Sequence, residues 1–361
     1  MLELRNVSKM AGGGYHIHPT DLTFQRGTLN VLLGPTLSGK TSLMRLMAGL
    51  DKPTDGSIHF DGEDVTGMPV QKRNVAMVYQ QFINYPALSV YENIASPMRI
   101  AGADKATIDQ EVRKAAELLR LTPYLDRTPL NLSGGQQQRT ALARAIVKKA
   151  NLVLLDEPLA NLDYKLREEL REELPKLFAE SGAIFVYATT EPSEALLLGG
   201  HTATLSEGRV TQFDETIKIY RNPVDLLTAK TFADPPLNTL ELVKSGDVLT
   251  LNGATVMPLP VHLTGIPDGP VTVAFQPHHL FLKPRDGLST ALSARTLVSE
   301  IAGSESFIHL EYAGARWVML AHGIHDIDAD QTIEVYLDTR HLMAFDQRTG
   351  RSLAGAGHEA D

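Results

Sequence analysis

Leu29-Asn30-Val31-Leu32-Leu33-Gly34-Pro35-Thr36-Leu37-Ser38-Gly39-Lys40-Thr41-Ser42-Leu43-Met44-Arg45-Leu46-Met47-Ala48 holds three kinds of sequence in one continuous stretch. The opening LNVLL is short, dominated by apolar residues and bounded by glycine, which predicts a buried strand. The closing SLMRLMA, which continues into Gly49-Leu50, carries its apolar residues at helical spacing. Between them, residues 34–41 match the pattern G-x-x-x-x-G-K-[ST]. Glycine lets a backbone wrap so closely that successive N–H groups point inward at phosphate, and the following helix adds its positive N-terminal end. Lys40 can reach the outer phosphates and Thr41 can ligate Mg²⁺. The predicted nucleotide cradle is therefore Gly34, Pro35, Thr36, Leu37, Ser38, Gly39, Lys40 and Thr41, with Ser42 behind it.

Working outward, residues 1–33 alternate apolar and polar positions in short runs that read as strands, and residues 104–149 are rich in helix formers with periodic apolar positions. NLVLLDEP (151–158) is a second buried strand, KLREELREELPKLF (165–178) a charged helix, and AIFVYATT (183–190) a third strand. Strands alternating with helices imply a parallel sheet. Asp156 and Glu157 close the second strand. One carboxylate there can hold Mg²⁺ through water, and the next can polarise an attacking water as general base. An acidic pair after a strand is by itself more often a solvated strand end; the phosphate loop upstream reverses that preference. Past residue 235, DPPLN (234–238) reads as a linker. DVLTLNGATV, VTVAF, SFIHLEY, RWVML and TIEVYL then sit between turn signals, as in a small all-β barrel or sandwich.

Leu132-Ser133-Gly134-Gly135-Gln136 lies just before the helical run QQRTALARAIV (137–147), where Ser133, Gly134, Gly135 and Gln136 can present N–H groups to a phosphate. With this motif between the phosphate loop and the acidic strand end, the chain resembles ABC ATPases, whose signature is LSGGQ. The resemblance implies ATP and Mg²⁺ as cofactors. It also implies two ATPase domains closing head to tail, each site using the loop of one and the LSGGQ of the other. Gln80 in VYQQF matches the family's Q-loop glutamine, which binds Mg²⁺ or water and faces the membrane partner. Asn161-Leu162-Asp163 matches the D-loop that crosses the dimer interface, and Tyr15 stands where an aromatic residue stacks on adenine.

VYQQFINYPALSVYENI (78–94), LDEPLANLD (155–163) and SEGRVTQFDETIKIYRNP (206–223) are similar to the ATPases of sugar and polyol importers. The extra β domain is shared with them too, with Gln276-Pro277-His278 and residues 297–312 as degenerate versions of its repeated motifs. The implied architecture is an α/β P-loop ABC ATPase domain over 1–235, with a helical subdomain at about 85–150. An OB-like, TOBE-type all-β regulatory domain over 236–352 and a disordered tail over 353–361 complete it. Two departures stand out. Aligning YATTEPSEA on Glu194-Ala195 puts Thr190 where the family has the histidine that contacts the γ-phosphate. Threonine carries no charge and reaches less far. His201, nearby in sequence, is a weak substitute. Leu37 stands where glycine is usual.

Charge and composition agree with a globular chain of two or three domains: 361 residues, 43% hydrophobic, 21% charged, net charge −9 and no cysteine. The lack of a basic block argues against a nucleic-acid partner. Glu3 and Arg5 argue against a secretory signal, and no window reaches the length of apolar sequence that a membrane helix needs. The resemblance therefore implies a peripheral subunit on the cytoplasmic face of the cell membrane. Its expected partners are two integral permease subunits, a second ATPase subunit and, indirectly, a periplasmic solute-binding protein. A carbohydrate, a polyol such as glycerol, or glycerol phosphate is the expected solute; polyamine, iron or an anion is the rival. Thr190 leaves open a weakly hydrolysing subunit paired with a different ATPase chain.

Overall fold

A computed structural model describes residues 1–160, 162–285 and 289–354. By contacts the chain divides into Met1–Thr216 and Ile217–Asp361.

The first unit opens with β1 (Leu2–Ala11), β2 (Gly14–Phe24) and β3 (Leu29–Leu33), followed by α1 (Lys40–Ala48), β4 (Asp55–Phe60), β5 (Glu63–Asp64) and β6 (Val75–Val78). Three helices follow, α2 (Val90–Ile100), α3 (Lys105–Leu118) and α4 (Gly134–Val147), where the sequence reads as helical. The unit closes with β7 (Leu152–Asp156), α5 (Tyr164–Ser181), β8 (Ile184–Thr189), α6 (Pro192–Leu198), β9 (His201–Ser206) and β10 (Arg209–Glu215).

Two sheets carry it. One is antiparallel, in the order β2-β1-β4-β5; the other runs β10-β9-β3-β8-β7-β6, parallel except for the β9–β10 edge. Both faces of the parallel sheet are covered, so β7 and β8 are buried along their whole length, as their unbroken LVLLD and IFVYAT sequences require. Leu43, Met44, Leu46 and Met47 of α1 join β1, β2 and the parallel strands in one apolar core. Register decides where the chemistry falls: Leu33 pairs with Thr189, and Asp156 with Ala188. The carboxyl ends of β3, β7 and β8 therefore stand side by side, the place where parallel α/β sheets bind ligands.

Helix starts follow from side-chain caps. Ser89, Asp104, Ser133 and Asp163 each accept a backbone N–H from the first turn of α2, α3, α4 and α5. α1 and α6 have no such cap, and α1 is flanked by Gly39 at φ 105° and Gly49 at φ 75°. Its first turn is thereby left free of side-chain acceptors.

Among the described residues the second unit has the short helices α7 (Thr216–Arg221, beginning at the division) and α8 (Leu226–Thr231), then strands β11 to β21. These are β11 (Asn238–Ser245), β12 (Val248–Leu251), β13 (Ala254–Pro258), β14 (Gly269–Phe275), β15 (Leu280–Phe281), β16 (Ser289–Ile301), β17 (Glu305–Tyr312), β18 (Ala315–His322), β19 (Thr332–Asp338), β20 (Met343–Asp346) and β21 (Ser352–Ala354). They form antiparallel sheets in the orders β13-β12-β11-β14-β20-β21 and β15-β19-β16-β17-β18. Buried Trp317 meets Phe275 edge-on, with centroids 5.1 Å apart, and donates its indole N–H to the Thr239 carbonyl at 2.9 Å. All-β structure with a shared core is what the alternating runs predict. DPPLN lies inside this second unit. Leu353 and Ala354 of the expected tail belong to β21, and the tail from residue 355 lies outside the described residues.

Candidate active site

At the end of β3 the chain turns at Gly34. A side chain there would meet the Leu205 carbonyl oxygen at 2.3 Å, so only glycine fits. Its N–H donates to the Thr189 carbonyl at 3.3 Å, tying the loop to β8. The Ser38 N–H closes back on the Pro35 carbonyl at 3.1 Å, and Gly208 donates to the Ser38 carbonyl at 2.9 Å. Lys40 is 5% exposed, and its Nζ donates to the Gly34 and Pro35 carbonyls at 2.8 and 3.0 Å. Burial lowers its pKa, while the charges of Glu157 and Asp156 pull the other way. A buried ammonium bonded to two loop carbonyls, beside an uncapped helix start, fits a polyanionic phosphate chain. Ser42 follows in the first turn of α1. Pro35, Thr36 and Leu37 are exposed; Leu37 is 94% exposed and holds a left-handed φ of 67°.

Asp156, 2% exposed, accepts from Thr41 Oγ1 at 2.7 Å. Burial raises its pKa, opposed by that hydrogen bond and by Lys40. A hydroxyl and a carboxylate side by side next to a phosphate site are the hard oxygen ligands Mg²⁺ takes together with substrate oxygens. Glu157 leaves the strand at φ 47°, its N–H donating to the Ala188 carbonyl at 3.0 Å. Its carbonyl accepts from Gln138 at 3.1 Å and its carboxylate from Gln80 Nε2 at 2.9 Å. Burial is the largest influence on Glu157 and raises its pKa; Lys40 opposes it, and Asp156, Glu194 and Glu191 add to it. A carboxylate with a raised pKa is a better proton acceptor than an ordinary glutamate. Ser133 caps α4 in a reciprocal box: the Gln136 N–H meets Ser133 Oγ at 3.4 Å, and the Ser133 N–H meets Gln136 Oε1 at 2.9 Å. Gly134 and Gly135 open that helix.

The ABC transporter family profile matches residues 17–160. The sn-glycerol-3-phosphate import ATP-binding protein of Cupriavidus pinatubonensis is 32% identical over 370 residues, covering 98% of this chain and 99% of that protein. This chain belongs to the ATP-binding subunits of ABC importers. The trehalose/maltose import ATP-binding protein of Thermococcus litoralis is 33% identical over 368 residues, covering 98% of this chain and 99% of that protein. Among solved structures, a dimeric ATP-binding cassette in a post-hydrolysis state, bound to ADP and Pi, superposes with a TM-score of 0.55 at 28% identity. It covers 60% of this chain and 99% of that cassette.

The remaining residues singled out in this ABC ATPase sit as follows. Tyr15 is on β2, 44% exposed, its ring 4.7 Å from that of His18. Asp163 caps α5 through the Leu166 N–H at 3.0 Å; Asn161 lies outside the described residues. Thr190 is exposed directly after β8, next to the Thr189 carbonyl that holds Gly34. His201 is no substitute for a residue at that place. It opens β9 opposite Asn30, whereas Leu33, the last residue before the loop, pairs with Thr204, so His201 stands toward the other end of the sheet. The sequence marks Gln138 only as the last of the run Gln136-Gln137-Gln138, yet it is 1% exposed and donates to the Glu157 carbonyl. Among the described residues, no helix is long and apolar enough to cross a membrane.

Proposed function

We propose that this ABC ATPase energises uptake of a carbohydrate, a polyol such as glycerol, or glycerol phosphate. In this reading the loop 34–41 and Ser42 hold the triphosphate, Tyr15 stacks on adenine, and Thr41, Asp156 and Gln80 hold Mg²⁺. When bound, the cation neutralises charge on the phosphate oxygens. Glu157 accepts the proton of the attacking water, Gln80 orients that water and reports to the permease, and Thr190 lends a neutral hydroxyl. Ser133, Gly134, Gly135 and Gln136 serve the nucleotide held by a second ATPase subunit, with Asp163 at the shared interface. The carrying observation is that two hydrogen-bonded pairs, Thr41–Asp156 and Gln80–Glu157, lie beside Lys40 where β3 and β7 end.

Two integral permease subunits, and through them a periplasmic solute-binding protein, complete the importer at the cytoplasmic face of the membrane. The relatives named for sn-glycerol-3-phosphate and trehalose/maltose import support that solute range. The second unit serves as a regulatory domain. The test is ATP hydrolysis by the importer reconstituted with its permease and binding protein: glycerol, glycerol phosphate or a sugar presented outside stimulates turnover. If none of these stimulates it but a polyamine, ferric or anionic solute does, the solute assignment fails.

Thr190 favours one refinement. A homodimer would lack the histidine at both sites, whereas a different ATPase partner supplies one complete site. Purifying the whole complex from its native source and counting its ATPase chains decides it; a single kind of chain overturns the heterodimer.

A further inference from the structure

The turn that carries Thr190 is held by side chains outside the nucleotide site described above. Thr189 Oγ1 donates to Glu194 Oε2 at 2.7 Å and accepts from the Glu191 N–H at 3.0 Å. Glu194, 4% exposed, also accepts from Tyr187 Oη at 3.0 Å and from Arg171 at 3.2 Å. Arg171 bridges Glu194 and Glu191, reaching the latter at 3.1 Å. Arg167, one helical turn earlier on α5, meets Glu191 at 3.2 Å and donates its other arm to the Ala160 carbonyl at 3.0 Å.

Arg167 thus holds two loops at once: the one that follows Glu157 and leads to the dimer-facing Asp163, and the one that places Thr190. The residues tied at each end matter to the reaction. The Ala188 carbonyl accepts the Glu157 N–H, and the Thr189 carbonyl accepts the Gly34 N–H. A guanidinium is a planar fork that can bind a carboxylate and a carbonyl in fixed relative positions, which a single amine cannot do. The side chains of Arg167 and Arg171 are 22% and 12% exposed and that of Glu191 is 40% exposed, so the arginines are the shielded side of these pairs.

We propose that Arg167 and Glu191 are positioning residues. They form a latch that transmits closure of the ATPase dimer, sensed by the loop through Ala160, to the turn carrying Thr190 and hence to Glu157. This rests on the ATPase reading above.

The latch predicts effects on turnover separate from binding. In the assembled importer, any second ATPase is inactivated at its own strand-end glutamate so that turnover reports on this chain. Arg167→Met and Glu191→Gln each lower kcat within the range of about 2- to 30-fold that such coupling links show. KM for ATP stays within about twofold. The double variant is no slower than the worse single, because the two act as one link. Unchanged kcat, losses that multiply, or a raised KM with kcat intact overturns the latch.

A second measurement needs no turnover and no variant. On adding a non-hydrolysable ATP analogue with Mg²⁺ to the full chain in its complex, amide exchange slows together in the stretch through Ala160 and in residues 186–191. Slowing of one without the other overturns the latch. Absence of slowing at residues 34–41 removes the nucleotide site itself, and the latch with it.

Discussion

Leu37 sits in the left-handed region with its side chain 94% exposed, on the loop where glycine would be at ease. A non-glycine residue there costs roughly 1–2 kcal/mol, part of which glycine gives back through the entropy of the unfolded chain. Leu37→Gly is therefore expected to stabilise the first unit by about 0.5–1 kcal/mol, read as a rise in its thermal midpoint. Gly34→Ala acts in the opposite sense, since its methyl would fall 2.3 Å from the Leu205 carbonyl oxygen. Loss of ATP binding in a chain with wild-type circular dichroism is the expected result. Glu157→Gln keeps the hydrogen bond to Gln80 but cannot take a proton. ATP should still bind and hold the dimer closed, with turnover lower by about 10²–10⁴, measured as phosphate release.

At the scale of elements, the start of α4 carries a stability role and, in the proposed function, a second role at the nucleotide. Ser133→Ala removes the reciprocal cap and should cost about 1 kcal/mol in urea unfolding. Ser133→Asp restores the cap yet, in the proposed dimer, would set a carboxylate against the nucleotide phosphates. It should recover stability but not turnover, which separates the two roles. In the second unit the short turn Pro277–His279 stacks His279 on His341, with centroids 4.4 Å apart, and sets His278 at 4.2 Å. Burial, then the neighbouring imidazoles His278 and His341, push the His279 pKa down to about 3; Asp338 opposes them, and Arg340 adds to the lowering. A histidine depressed below its unfolded value leaves the fold intact above about pH 6.5 and weakens it as pH falls from there toward about 3, because only the unfolded chain gains the proton. Thermal melts of the second unit should show that acid loss, and His279→Phe should flatten it.

The whole molecule turns on how its sites are completed. LSGGQ leads into α4 while the phosphate loop leads into α1, and in the proposed assembly each signature serves a neighbouring subunit's nucleotide. Thr190→His should therefore raise turnover of the assembled importer, by up to about 10²-fold if that one contact limits the rate. No change would mean that the partner's site already carries the cycle.

Much of this was legible in sequence because the phosphate loop, the signature and the acidic strand end are local. Each needs residues a few positions apart, and backbone geometry alone makes their meaning readable. The alternation of β1 and β2, the buried β3, β7 and β8 and the β-strands after residue 237 follow from periodicity for the same reason. Tertiary structure alone decided what depends on strand register and on helices crossing loops. Pairing of β9 with β3 put His201 at the wrong end of the sheet, and packing buried Gln138 beside Glu157. The fold also aimed Arg167 and Arg171 from α5 at Glu191 and Glu194. No spacing in the chain announces those contacts: arginines and glutamates on a charged helix look alike whether they face water or hold the turn at Thr190.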